Sequence, residues 1–169
     1  MPVQKPSLEI IQDFLAQKRV AMVGVSRSPS DFSVSVFKEL CRRGYDMVPV
    51  NPNAKEVLGR KCFACVQDIE PPVDAALLMT PPQATEAAVR DCAEAGIRRV
   101  WMHRGGGAGA VNEKAVLFCK EHNIRVVPGA CPLMFLPKSA AVHRVHGFIR
   151  KITGRYPTSA HVSGKERTH

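Results

Sequence analysis

Short apolar runs alternate with longer helical stretches along most of this chain, and that alternation restricts its possible folds more than any other feature of the sequence. Runs rich in Val, Ile, Leu and Met at 19–25, 46–50, 75–80, 99–102 and 125–127 read as strands, each close to a Gly or Pro. Ala75-Ala76-Leu77-Leu78-Met79 is apolar without interruption, the pattern of a strand covered on both faces in a parallel sheet. Helical stretches lie between the runs. Residues 33–43 place Val36, Phe37 and Leu40 on one face and end at Gly44; 83–95 are rich in Ala and Glu and end at Gly96. Residues 111–122 carry Val111, Ala115, Val116 and Cys119 ahead of Asn123. Helix, glycine, then strand is the unit of a right-handed βαβ crossover. The expected fold is therefore α/β, a Rossmann-like doubly wound parallel five-stranded sheet in a single domain with a C-terminal helix and tail. An amphipathic helix at 7–17 (Leu8, Ile11, Phe14 and Leu15) precedes the first strand. The expected division is a domain over 1–137, a basic helix over 138–153 and a flexible basic tail over 154–169.

A chain of 169 residues buries about 70% of its unfolded surface, so such a core needs no disulfide or metal to hold it. With 45% hydrophobic and 23% charged residues, the composition excludes a disordered chain, a collagen-like chain and a small disulfide scaffold. No run of about 18 apolar residues is present, so no membrane-spanning segment is expected. The amino terminus carries Glu9 and Asp13 in an amphipathic pattern without an apolar h-region, and a cytoplasmic location follows as an expectation. The net charge of +9 is concentrated in residues 138–169, which hold seven Lys/Arg and one acid. The simpler reading is a solvated face, and with few aromatics to stack on bases, nucleic acid is not an expected partner. Six cysteines lie mostly far apart and inside apolar patterns, and with no secretory signal read in the sequence disulfides are not expected. Cys62-Phe63-Ala64-Cys65 is a single CxxC in a loop after Gly59, without a second pair or a nearby His, and no metal site is expected from it.

In an open parallel sheet, ligands sit beyond the carboxyl ends of the strands, near the point where strand order reverses. That rule selects the loops 24–30, 51–55, 80–82 and 103–107. The first joins a strand to a helix and offers Ser26, Ser28 and Ser30 hydroxyls with the Arg27 charge, a composition suited to phosphate. The same serines also suit helix capping, and the residues alone leave both readings open. A dinucleotide fingerprint is missing: the loop has one glycine, and the second strand ends in Val50-Asn51-Pro52 with no acid for ribose hydroxyls. No G-x-x-x-x-G-K-[ST] occurs either. The ligand expected is a nucleotide held without ribose chelation, with an extra phosphate available to Arg27 and Lys55.

V-G-x-S-R at 23–27, P-V-N-P-x-x-x-x-x-L-G at 49–59 and Pro81-Pro82 after the third strand occur in this order and spacing. Together with GIRRVWMHRGGG at 96–107 and NIRVVPGACPLMFL at 123–136, they resemble the stand-alone CoA-binding domain proteins. Those proteins are similar to the amino-terminal CoA-binding domain of succinyl-CoA synthetase alpha subunits, and the resemblance covers about residues 7–137. It implies a domain that binds coenzyme A or an acyl-CoA. Carried over by position, Gly24, Val25, Ser26 and Arg27, with Ser28 and Ser33 nearby, form the phosphate loop. Val50, Asn51, Pro52 and Lys55 border the adenosine and its 3′-phosphate, and Thr80, Pro81 and Pro82 wall the adenine side. Trp101, Met102 and His103 line the path of the pantetheine arm.

The synthetase relatives phosphorylate a histidine in a second domain and pair with another subunit. Among the histidines here, His122 reads as a helix cap, and His143 and His146 as surface residues lacking a third metal ligand. His103 stands at the sheet's active edge with no adjoining acid or nucleophile, so it reads as a ligand contact. Cys131 is either a thiol able to form a mixed disulfide with CoA or, the preferred reading, a buried apolar cysteine. The expectation is a ligand-binding module with no catalytic residue and no metal. The alternatives are a partner-dependent acyl-CoA ligase or transferase component and an NAD(P)-binding regulator. A homodimer through an exposed helix face is compatible with the pattern.

Overall fold

The computed structural model describes residues 5–105 and 107–137. In chain order its elements are α1 (Leu8–Leu15), β1 (Arg19–Val23), α2 (Phe32–Arg42), β2 (Asp46–Val50), β3 (Glu56–Val57) and β4 (Arg60–Lys61), then β5 (Ala75–Leu78), α3 (Pro82–Glu94), β6 (Arg99–His103), α4 (Glu113–Glu121) and β7 (Arg125–Ala130). Five strands form one parallel sheet in the order β2-β1-β5-β6-β7. The chain winds outward from β1 to β2, crosses back to β5 and then winds the other way, so strand order reverses between β1 and β5.

Side-chain alternation along the strands divides the core into two layers. Val20, Met22, Leu77, Trp101 and Val127 pack with Ile11 and Phe14 of α1 and with Val34, Phe37 and Leu40 of α2. Ala21, Ala76, Leu78, Val100 and Met102 pack with Val89 and Cys92 of α3 and Ala115 and Cys119 of α4. All four residues of β5 are buried, as its uninterrupted apolar run predicts for a central parallel strand. Each fully buried Leu here contributes about 1.5–3 kcal/mol relative to an exposed one.

Capping fixes where the helices begin. Ser7 accepts from the Ile10 N–H, Asp31 from Ser33 and Asn112 from Ala115, while α3 starts on a proline whose missing N–H needs no partner. Residue α1 positions are held by charge as well as by packing. Asp13 accepts from Arg99 Nε and Arg125 Nη1 at 2.9 Å each, and Phe14 meets Trp101 edge-on at 5.2 Å. These contacts fasten α1 across β6 and β7.

The strand ends depart from the sequence reading in ways the backbone explains. The first strand stops at Val23, two residues early, because Gly24 turns the chain with φ +86°. The third stops at Leu78 rather than reaching Thr80. The last runs through Pro128 to Ala130, longer than expected, because β7 is an edge strand where a proline need not donate to a neighbour. The register slips between Met102 and His103, so that His103 pairs with Ala130. Residues 56–61, which lie between the loops read at 51–55 and 62–65, form the antiparallel pair β3–β4, and Phe63 then bridges to Val50 on the outer side of β2. The basic helix over 138–153 and the tail over 154–169 lie outside the described residues.

Candidate functional site

The reversal of strand order brings the loops after β1 and β5 together. A Cβ built on Gly24 would stand 3.1 Å from the carbonyl carbon of Met79 and 3.1 Å from the N–H nitrogen of Thr80. Only glycine satisfies both this approach and the positive φ. The Gly24 N–H donates to the Val50 carbonyl at 3.0 Å, and the Met79 N–H donates to Val23 at 2.8 Å, tying three strand ends at one point.

The 24–31 loop is organised by its own polar side chains. Ser33 Oγ accepts from the Ser26 N–H at 2.9 Å and donates to Asp31 Oδ1 at 2.5 Å. Ser26 Oγ accepts from the Ser28 N–H at 3.1 Å, and the Ser28 and Ser30 hydroxyls meet at 3.1 Å. Ser26 and Ser33 therefore shape the loop, and Ser33 is buried beneath it. The cap of α2 is Asp31, which sequence reasoning did not single out. Its carboxylate already occupies the Ser33 N–H. Arg27 is exposed, and neither its guanidinium nor the N–H groups of Arg27 and Ser30 bond another group among the described residues.

The expected β2-side residues divide into two kinds. Val25 and Val50 are buried, as is Thr80, two residues beyond β5. Asn51 acts as a clip: its Nδ2 donates to the Val25 carbonyl at 2.9 Å and its Oδ1 accepts from the Asn53 N–H at 2.8 Å. The amide is thereby committed to joining the loops after β1 and β2. Pro52 and Lys55 are exposed beyond it. Thr80 Oγ1 lies 2.8 Å from Thr85 Oγ1, which in turn donates to the Pro81 carbonyl, so Thr80 secures the start of α3. Pro81 is exposed and Pro82 half-buried, and the Pro82 carbonyl accepts from Asn112 Nδ2.

Of Trp101, Met102 and His103, only His103 reaches the carboxyl edge. Trp101 is fully buried between Phe14 and Phe135, and its indole N–H donates to the Ala130 carbonyl at 2.8 Å. Met102 points into the opposite layer. Both residues, expected along the path of the pantetheine arm, stand at buried core positions, because the strand continues through them before it ends at His103. His103 packs its ring against Phe32, the first residue of α2, at a centroid distance of 5.5 Å.

The cysteines differ from one another. Burial raises the Cys62 thiol above its ordinary range, and the hydrogen bond to Asp68 raises that of Cys65. Both shifts oppose thiolate formation, unlike those of a reactive CxxC. Cys131 is buried at the end of β7. Cys92 and Cys119, under α3 and α4, are pushed up to about 12 by burial. Among the described residues no three His, Cys, Asp or Glu side chains are grouped to hold a metal ion.

A separate groove of about 570 Å³ runs along the amino-terminal half of β7, between Lys5, Ile10, Val116, Lys120 and Arg125. It contains none of the loop residues that converge at the strand reversal. The convergence of three loops outranks groove size as the indicator of a ligand site in a parallel sheet.

A doubly wound α/β domain of the Rossmann-like class, with a polar, partly cationic loop at its strand reversal, is thus defined by the fold and its carboxyl edge. The chain belongs to the CoA binding domain family, whose profile matches residues 18–137. It is 32% identical over 124 residues to an ADP-forming acetate–CoA ligase II of Archaeoglobus fulgidus, covering 69% of this chain and 18% of the ligase. It is 30% identical over 130 residues to the uncharacterized protein YneT of Bacillus subtilis, covering 76% of this chain and 93% of YneT. A solved structure of a hypothetical protein from Pyrococcus horikoshii OT3 superposes with TM-score 0.69 at 30% identity, over 78% of this chain and 94% of that one. The chain therefore spans less than a fifth of the matched ligase but nearly all of the small relatives. Among the described residues no helix is long and apolar enough to cross a membrane.

Proposed function

We propose that this protein is a binding module for coenzyme A or an acyl-CoA, without catalysis of its own, working in the cytoplasm. The observation that carries the reading is the meeting of the loops after β1, β2 and β5 around Gly24, in a chain that belongs to a CoA-binding family. The diphosphate lies against the Arg27 and Ser30 N–H groups, the Ser28 hydroxyl and the Arg27 guanidinium. Adenosine extends towards the β2 side, with its 3′-phosphate near Lys55 and its flat face against Pro52 and the Pro81-Pro82 wall. The pantetheine arm leaves towards His103. Val25, Ser26, Ser33, Val50, Asn51 and Thr80 hold these groups in place rather than touching the ligand.

The discriminating feature against a nicotinamide dinucleotide is the tip of β2. An acid there would chelate ribose hydroxyls, but this chain has Asn51, and its amide is already bonded on both sides. Resemblance to acetate–CoA ligases supports a second reading, a component that acts with a separate catalytic partner. Calorimetric titration with CoA, dephospho-CoA and NAD tests the first reading. CoA binding weakened by loss of the 3′-phosphate is expected, and Arg27→Ala should cost about 1–3 kcal/mol if the guanidinium pairs a phosphate. NAD binding without CoA binding would refute the assignment.

A further inference from the structure

The two edges of the sheet are finished differently. On β2 the chain covers its own edge: the Phe63 N–H donates to the Pro49 carbonyl at 3.0 Å, and the Phe63 carbonyl accepts from Asn51 at 2.9 Å. On β7 no strand lies outside among the described residues, and the groove of about 570 Å³ runs directly along it. Hydrogen bonding fixes which backbone groups face that groove. The Arg125 N–H donates inward to the Arg98 carbonyl at 2.9 Å, so by strand alternation Ile124, Val126 and Pro128 turn their backbone groups outward. The Ile124 N–H is spent on the Cys119 carbonyl at 2.8 Å, and Pro128 has none. The Val126 N–H and the carbonyls of Ile124 and Val126 are therefore directed at open space.

Charge selects what can lie there. Ile10 of α1 and Val116 of α4 line the two walls, and Lys5 and Lys120 stand exposed, one on each wall. Neither lysine is bonded among the described residues, whereas the Arg125 charge is already spent on Glu9 and Asp13. No carboxylate among the described residues lines the groove. A second copy would bring another set of the same lysines to one groove, and residues 138–169 hold seven Lys/Arg and one acid. An acidic strand meets no such repulsion. We infer that the β7 edge receives an extended acidic segment of a partner protein as a sixth strand of the sheet. Main-chain bonds to Ile124 and Val126 hold the segment, and its side chains alternate between the walls. Two acids three residues apart point to opposite walls, towards Lys5 and Lys120, with aliphatic residues between them on Ile10 and Val116. The groove shares no residue with the loops at the strand reversal, so this docking does not depend on CoA binding.

The test titrates the full chain into a labelled hexapeptide, acetyl-Thr-Glu-Val-Val-Glu-Thr-amide, and follows fluorescence anisotropy. Saturable binding is expected. The double variant Lys5→Glu/Lys120→Glu should weaken it about tenfold, the effect of turning two surface ion pairs into repulsions, with an unchanged thermal melt by circular dichroism. Exchanging both peptide glutamates for lysine should weaken binding to the wild-type chain and restore it to the double variant. Methylating the interior amide nitrogens of the peptide should abolish binding, because the Ile124 and Val126 carbonyls then lose their donors. Hydrogen exchange at the Val126 N–H should slow in the complex. Absence of saturation up to about 1 mM overturns the assignment, as does equal binding of the lysine peptide or retained affinity after methylation. A dimer of the chain that the peptide dissociates would give the edge to a second copy and overturn it as well.

Discussion

Gly24 and Gly44 separate two costs that are usually entangled. Both have positive φ, +86° and +89°, but a Cβ on Gly44 meets nothing within 4 Å, whereas on Gly24 it meets backbone of Met79 and Thr80 at 3.1 Å. A left-handed conformation costs an L residue about 1–2 kcal/mol. Stiffening the unfolded chain offsets about 0.4–1 kcal/mol of that. Gly44→Ala should therefore destabilise by about 1 kcal/mol. In Gly24→Ala the strand ends of β1 and β5 must also part by a few tenths of an ångström, and neither contact is a side chain that can swing away. Overpacking of this kind adds about 1–3 kcal/mol, for a total of about 2–4 kcal/mol. Urea unfolding followed by circular dichroism measures both losses, compared at equal m. In thermal melts each kcal/mol should appear as about 2–4 °C. Equal losses in the two variants would refute the argument, because they would mean that the close approach of β1 to β5 contributes nothing beyond backbone conformation. Ligand affinity should follow the same ranking, since only Gly24 lies where the three loops meet.

Other substitutions probe particular links. Asn51→Ala removes both bonds of the clip between the loops after β1 and β2; a loss of about 1–2 kcal/mol in urea, with weaker CoA binding, is expected, and no change in either would sink the positioning role. Trp101→Phe keeps one six-membered ring but removes the fused pyrrole and its N–H from the Ala130 carbonyl, which retains the Arg104 N–H; with the cavity left at a fully buried site it should cost about 2–3 kcal/mol and leave CoA affinity alone. A tenfold affinity loss in that variant at unchanged stability would return Trp101 to the ligand path. Glu39 is held down to about 2, from an ordinary 4.5, chiefly by its hydrogen bond to Arg42 and then by Arg43. Because the folded value is the lower one, its contribution is complete above about 4.5 and vanishes as pH falls through about 2. Urea midpoints of Glu39→Gln should accordingly vary less over that interval than those of the parent chain, and identical slopes would remove the ion pairs from the acid response.

The legible part of this protein is the part written in local pattern. The positions of all five sheet strands and four helices follow from apolar periodicity, because burial on one helical face or on both faces of a strand must be encoded in consecutive residues. The short pair β3–β4 escaped that pattern, since two-residue strands leave no period to read. The missing acid after β2 was likewise visible, being an identity at one position rather than a contact. The meeting of the candidate loops was legible, but the hydrogen bonding of their individual side chains was not. Ser33 and Asn51 look like ligand donors in sequence, yet their hydrogen bonds are spent on Ser26, Asp31, Val25 and Asn53, partners that only the folded loops bring within reach.

Trp101 and His103 make the same point along one strand. Both face the α1–α2 side, but Trp101 lies at mid-strand beneath α1 and His103 at the open end, a difference set by where β6 stops and not by residue type. The sequence by itself determined the βα order, the stops and the polar character of the loop after β1, all of which depend on neighbours in the chain. Only the tertiary structure decided that Gly24 must touch the end of β5, that α1 would cover Trp101 and that Phe32 would reach His103. Those contacts join segments far apart in the chain, and their geometry exists only once the sheet has set the spacing and order of its strands.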